Sequence, residues 1–130
     1  MKKLFYLFIF VSLLFSCSDS QRADGDWDDN IKLSKKSVVF NAQADSIVIS
    51  AKGSGWWINS ANLCDEYVMK DIGLDKYFSY KSENFSVVKR DAHTIFIKMS
   101  ENITNVDRCL SIDLQNGDFF NSIRVNQKHK

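Results

Sequence analysis

Beyond residue 30 the chain is a succession of short runs that alternate apolar and polar residues, separated by Asn, Asp, Gly and Ser. Side chains on a strand change face at every residue, so such runs fit half-buried strands and not helices. Arg108–Leu114 is the clearest case. Leu110, Ile112 and Leu114 share one face, and Cys109, Ser111 and Asp113 share the other. Asn116-Gly117 is a strong hairpin signal, and Phe119–Val125 returns from it. Phe85–Lys89 and Thr94–Met99 form a second hairpin around Arg90-Asp91-Ala92-His93. Four shorter strands are expected over Ile31–Leu33, Ser37–Phe40, Ser46–Ala51 and Trp56–Asn59. Many short strands with turns between them predict an all-β fold, an antiparallel β-sandwich of about 7–8 strands.

Residues 61–82 interrupt this pattern. Cys64, Tyr67, Val68, Ile72 and Leu74 fit a short helical turn or another strand, and Lys76–Lys81 alternates enough to be a strand. The region reads as an elaborated crossover, a kind of segment that often carries a site.

The start of the chain is of another character. Lys2 and Lys3 precede an apolar run from Leu4 to Phe15, followed by Ser16 and Cys17. That run is too short for a membrane-spanning helix but fits the apolar part of a signal peptide. Leu14-Phe15-Ser16-Cys17 resembles the lipobox of bacterial lipoproteins, although Phe15 is larger than the residue usual there. The resemblance implies cleavage before Cys17 and acylation of that cysteine. Two or three acyl chains give stable membrane anchoring. The expected organisation is a signal peptide over 1–16, a lipidated tether over 17–30 and a sandwich domain over 31–130. The tether is polar and acidic, with too little apolar content to pack. Its Asp24-x-Asp26-x-Asp28 spacing is not a calcium loop, because Asp29 and Lys35 stand where such a loop needs Gly and Glu. An acidic run just behind the cysteine resembles the surface-export signal of Bacteroidetes lipoproteins, and implies display on the outer membrane.

The strand region carries a second resemblance. Ile31-Lys32-Leu33-Ser34 and Ser37-Val38-Val39-Phe40-Asn41-Ala42 come first, then Ser46-Ile47-Val48-Ile49-Ser50 and Trp56-Trp57-Ile58-Asn59. Asn102-Ile103-Thr104 with Arg108 follows, and Val125-Asn126-Gln127 closes the series. In this order the pieces resemble the BACON domain, an immunoglobulin-like sandwich of Bacteroidetes surface proteins. The resemblance covers about Ile31 to Gln127. It implies the sandwich fold and, from the family at large, carbohydrate binding, although some members act as spacers. Two departures stand out. Lys76-Tyr77-Phe78-Ser79-Tyr80 lies where many members have a second Trp, and the stretch from Asn59 to Phe85 is long.

Composition limits the chemistry. Without Lys2 and Lys3 the formal charge of +1 becomes −1. There is no clustered basic run for nucleic acid. His93 and His129 form no catalytic or zinc spacing with other residues. The reading is therefore of a non-enzyme without metal or cofactor. Trp56 shares parity with Ile58 and should be buried, whereas Trp57 has the opposite parity and should be partly exposed. Trp57 with Tyr77 or Tyr80 is the candidate carbohydrate platform, and Phe119 and Phe120 lie near the hairpin turn. Cys64 and Cys109 remain after Cys17 is acylated, either as a disulfide or as two independent thiols. Asn102, Thr104 and Gln127 are read as folding residues that bond local backbone. The expected partners are the membrane, through the lipid anchor, and either a polysaccharide or another envelope protein.

Overall fold

The computed structural model describes residues 28–70 and 77–130. Cys17, the signal peptide, most of the tether and positions 71–76 of the crossover lie outside those residues. The described residues form nine strands: β1 (Ser37–Phe40), β2 (Asp45–Ser50), β3 (Trp57–Leu63), β4 (Glu66–Lys70), β5 (Phe78–Lys81), β6 (Phe85–Lys89), β7 (Thr94–Met99), β8 (Arg108–Asn116) and β9 (Phe119–Gln127). They make a β-sandwich with a five-stranded sheet in the order β1-β9-β8-β3-β4 and a four-stranded sheet in the order β2-β7-β6-β5.

The alternation that marks β8 and β9 in the sequence is the alternation that builds the core. Leu110, Ile112, Leu114, Ile123 and Val125 of one sheet are buried with Ile49, Val87, Ile95, Ile97 and Met99 of the other. Trp56 and Ile58 are both buried, as their shared parity requires, and Trp57 is half-buried on the opposite side. The sandwich is not wholly antiparallel. β1 runs parallel to β9, pairing Val38 with Val125 and Phe40 with Gln127. A short turn after Phe40 then carries the chain into the other sheet, so β1 and β2 never form a hairpin.

Ile31–Leu33 is not a strand. The Asp29 carboxylate accepts the Ile31 and Lys32 amides at 3.0 and 2.8 Å. Lys32 takes a left-handed φ of 54°. The segment is a strap: Ile31 is buried, and the carbonyls of Ile31 and Lys32 accept the Gly53 and Lys52 amides. Only the bridge between Leu33 and Ala51 is strand-like.

The long crossover also resolves differently. β3 continues to Leu63, turns over Cys64-Asp65 and returns as β4, with Leu63 opposite Glu66. Both turn residues have positive φ, 51° and 64°, the requirement of a type I′ hairpin turn. Asn and Gly usually announce such a turn, so Cys-Asp hides it in the sequence. β5 then joins the other sheet beside β6.

The lower end of the sandwich is closed by buried polar groups. Arg108 Nη2 donates to the Ser100 carbonyl at 2.7 Å, and its Nε donates to Gln127 Oε1 at 3.1 Å. Gln127 Nε2 in turn donates to the Gln43 and Ser100 carbonyls. Asn102 Nδ2 donates to the Val106 and Lys128 carbonyls, while its Oδ1 accepts the Thr104 hydroxyl at 2.6 Å. Burial holds the Arg108 guanidinium below its usual pKa. These groups satisfy backbone that would otherwise be buried unpaired, which is the folding role expected of Asn102, Thr104 and Gln127.

Candidate functional site

The site lies on the outer face of the five-stranded sheet. Three cross-strand rows follow from the register. The first aligns Trp57, Gln115 and Phe120; the second aligns Lys70, Ser60, Asp113 and Ser122; the third aligns Tyr67, Asn62, Ser111 and Arg124. The inward set of β8 is Arg108, Leu110, Ile112 and Leu114, so strict alternation leaves Cys109, Ser111, Asp113 and Gln115 on this outer face.

Asp113 is at its centre. Its Oδ2 accepts the Ser60 hydroxyl at 2.6 Å and Asn62 Nδ2 at 3.5 Å. The register of β3 against β8 shifts between Ile58 and Ser60, so Asn59 has no partner position on β8. Bulges of this kind re-aim side chains near sites.

Two hollows adjoin at Asp113. One, of about 400 Å³, is lined by Asn59, Asp113, Phe120, Asn121 and Ser122. The other, of about 380 Å³, is lined by Asn62, Asp65, Tyr67, Cys109, Ser111, Asp113 and Arg124. Tyr67 and Phe120 are 73% and 60% exposed, so each hollow has an accessible ring at its rim. Asn62 Oδ1 is buried without a hydrogen-bond partner in the wall of the second hollow. Asn121 Nδ2, also buried without one, belongs to the inner side of the sheet, where Asn121 pairs with Leu114. A further hollow of about 200 Å³ beside Lys81, Glu83 and Lys98 has only the buried Phe85 for a ring.

Of the residues named from the sequence, Trp57 belongs to this face. Tyr77 and Tyr80 do not join it. Tyr77 is exposed just ahead of β5, in the other sheet, and Tyr80 turns inward, its ring 5.5 Å from that of Phe85. The platform of Trp57 with Tyr77 or Tyr80 is therefore corrected. The β3–β4 hairpin brings Tyr67 instead, and the β8–β9 hairpin brings Phe120. Tyr67 escapes a sequence reading because its partner row depends on the concealed turn at Cys64-Asp65. Asp113 had a visible signal, its outward parity on β8.

Cys64 and Cys109 are free thiols. Their backbones are neighbours, with the Cys64 amide donating to the Cys109 carbonyl at 2.9 Å. The left-handed φ at Cys64 takes its Cβ out of the ladder alternation that would set it beside that of Cys109.

The chain matches no protein-family profile and no curated protein. Its fold is similar to that of a Bacteroides thetaiotaomicron protein solved by NMR, with a TM-score of 0.66 and 16% identity over 84% of this chain and 95% of that one. A fainter likeness, TM-score 0.47 and 14% identity, relates 76% of this chain to 19% of a Bacteroides ovatus GH5 xyloglucanase solved with a XXXG heptasaccharide. At these identities the similarity is one of fold: an all-β sandwich, shared over nearly its whole length with a Bacteroides protein.

Proposed function

We propose that the protein is a non-catalytic, lipid-anchored surface module of the BACON type that binds glycan on the outer face of its five-stranded sheet. One observation carries this reading: two exposed rings, Tyr67 and Phe120, stand at the rims of adjoining polar hollows that meet at Asp113. Sugars present C–H faces that stack on aromatic rings, whose faces carry the negative part of the quadrupole. Their hydroxyls donate and accept at once, which suits a floor of Asp, Asn and Ser. An open face of this kind supports weak binding, on the order of 0.1–1 mM (~4–5 kcal/mol). Such affinity serves a protein displayed on a membrane against a multivalent polysaccharide.

Glycan-array screening and calorimetric titration test the binding. Asp113→Ala should weaken it at least tenfold with the fold intact by circular dichroism. A folded parent that binds no polysaccharide would refute the reading. Anchoring is tested separately. Cys17→Ala should abolish incorporation of labelled palmitate, and unchanged labelling would refute the lipoprotein assignment.

A second reading, a protein-interaction module, has its own observation. Ile103 and Val106 are 78% and 59% exposed on the loop before β8. That loop is held by Asn102, so its two apolar side chains are presented on a fixed backbone.

A further inference from the structure

We infer that the two hollows act as one groove for a linear, uncharged oligosaccharide of about four units, lying diagonally across the sheet from Phe120 to Tyr67 with Asp113 beneath its middle. This deepens the glycan reading and rests on it. The length follows from the register. The Tyr67 row meets β8 at Ser111 and the Phe120 row meets it at Gln115. Four residues of strand set those rows about 13 Å apart. β4 and β9 are separated by β3 and β8, three strand spacings or about 14 Å. The two rings are thus on the order of 19 Å apart on the diagonal, a span for about four pyranose units.

Each end has one exposed ring. The Phe120 end offers Asn59 and Ser122 as polar neighbours. At the Tyr67 end Asn62 Oδ1 is buried without a hydrogen-bond partner, and a sugar hydroxyl, directly or through one bridging water, can donate to it. Between the rings, Asp113 lines both hollows, so a chain bound at one end passes it to reach the other. Charge bears on the ligand class. Among the described residues Asp65, Asp113 and Arg124 line the Tyr67 hollow, and Lys70 stands in the Asp113 row. That near balance gives no surplus of positive charge for uronate or sulfated chains and leaves Arg124 to donate to ring or hydroxyl oxygens. The open sheet face suits a flat, extended chain such as a β-1,4-linked glycan better than a coiled one.

Calorimetric titration of the full-length protein in detergent, with neutral β-1,4-linked glucan, xylan and mannan oligosaccharides of two to six units, tests this. Affinity for at least one series should rise at least tenfold from two units to four and level off beyond five. Tyr67→Ala and Phe120→Ala should each weaken the four-unit ligand at least fivefold. The two-unit ligand, which can use the remaining end, should change less than about twofold. Length-independent affinity overturns the groove while sparing the glycan reading. So does an equal loss for two and four units in both variants. Tighter binding of polygalacturonate oligomers than of neutral ones overturns the uncharged assignment. A folded parent that binds none of the series at any length overturns the groove and the glycan reading together.

Discussion

Trp56 shows what one position decides. It is fully buried, its indole Nε1 donates to the Gly53 carbonyl at 3.2 Å, and Lys89 Nζ lies 4.2 Å from its ring centroid. Lys89 Nζ also donates to the Trp56 carbonyl. The ring therefore fills core space and gives a buried ammonium a π face. Trp56→Ala should cost about 3–5 kcal/mol, as aromatic core truncations do. Trp57→Ala, which empties no core space, should cost under about 1 kcal/mol. Urea unfolding of the two variants checks this. Equal losses would show that the neighbouring indoles are not distinguished by burial. The parity of Trp56 with Ile58 made this contrast readable from four residues of sequence. Lys89 shares parity with Phe85 and Val87, so alternation points it inward; what the sequence does not record is the Trp56 ring and carbonyl that receive it.

At the scale of elements, the strap ahead of β1 is fixed to the turn ahead of β3 by backbone contacts. A Cβ on Gly53 would lie 1.8 Å from the Asn30 carbonyl oxygen, so the strap can lie here only against glycine. Gly53→Ala should cost about 1–3 kcal/mol, the range for overpacking that forces backbone to shift. Gly117 is a contrasting case. A Cβ there meets open space, but φ is 61° at the first central position of the β8–β9 turn. Gly117→Ala should therefore cost only the left-handed penalty, about 1 kcal/mol. Thermal melts that ranked Gly117→Ala as the worse variant would contradict the close approach at Gly53. The turn is centred on Gly117-Asp118, one residue beyond the Asn-Gly pair expected, with Asn116 still in β8 opposite Phe119; its glycine is legible in the sequence because local geometry requires it. The need for Gly53 comes from residues some twenty positions earlier, and no local pattern records it.

For the molecule as a whole, acid should be destabilising in a definite window. His129 holds the Asp107 carboxyl well below the usual carboxylate range, with its side chain first and its amide second, and Lys128 adds to this. The His93 amide lowers Asp91, against a smaller opposing effect of burial. Burial pushes Asp29 up, but the Lys32 and Ile31 amides and Lys36 together outweigh it and leave it lowered. A carboxyl depressed on folding contributes its full stabilisation above the unfolded value, near 4, and loses it as pH falls through the folded value. The melting temperature should thus decline below about pH 4. The slope should be shallower in Asp107→Asn, and added salt should reduce the difference, because these pairs are exposed. An unchanged acid slope in Asp107→Asn would remove that carboxyl from the account.

The alternation of apolar residues determined that this chain is a sandwich, and which side of β6, β7, β8 and β9 is buried. Period two is a local property, and a strand with one buried face has no other way to satisfy it. The same pattern gave the outward set on β8, including Asp113. What lies beside that set was decided only in three dimensions. The Cys64-Asp65 turn folds β4 back onto β3 and brings Tyr67 to the polar face, while β5, with Tyr80, is carried into the opposite sheet. A ring's partners depend on which strands become neighbours. That choice is made by turn conformations and by the competition of whole sheets for one core, neither of which a residue's own periodicity encodes.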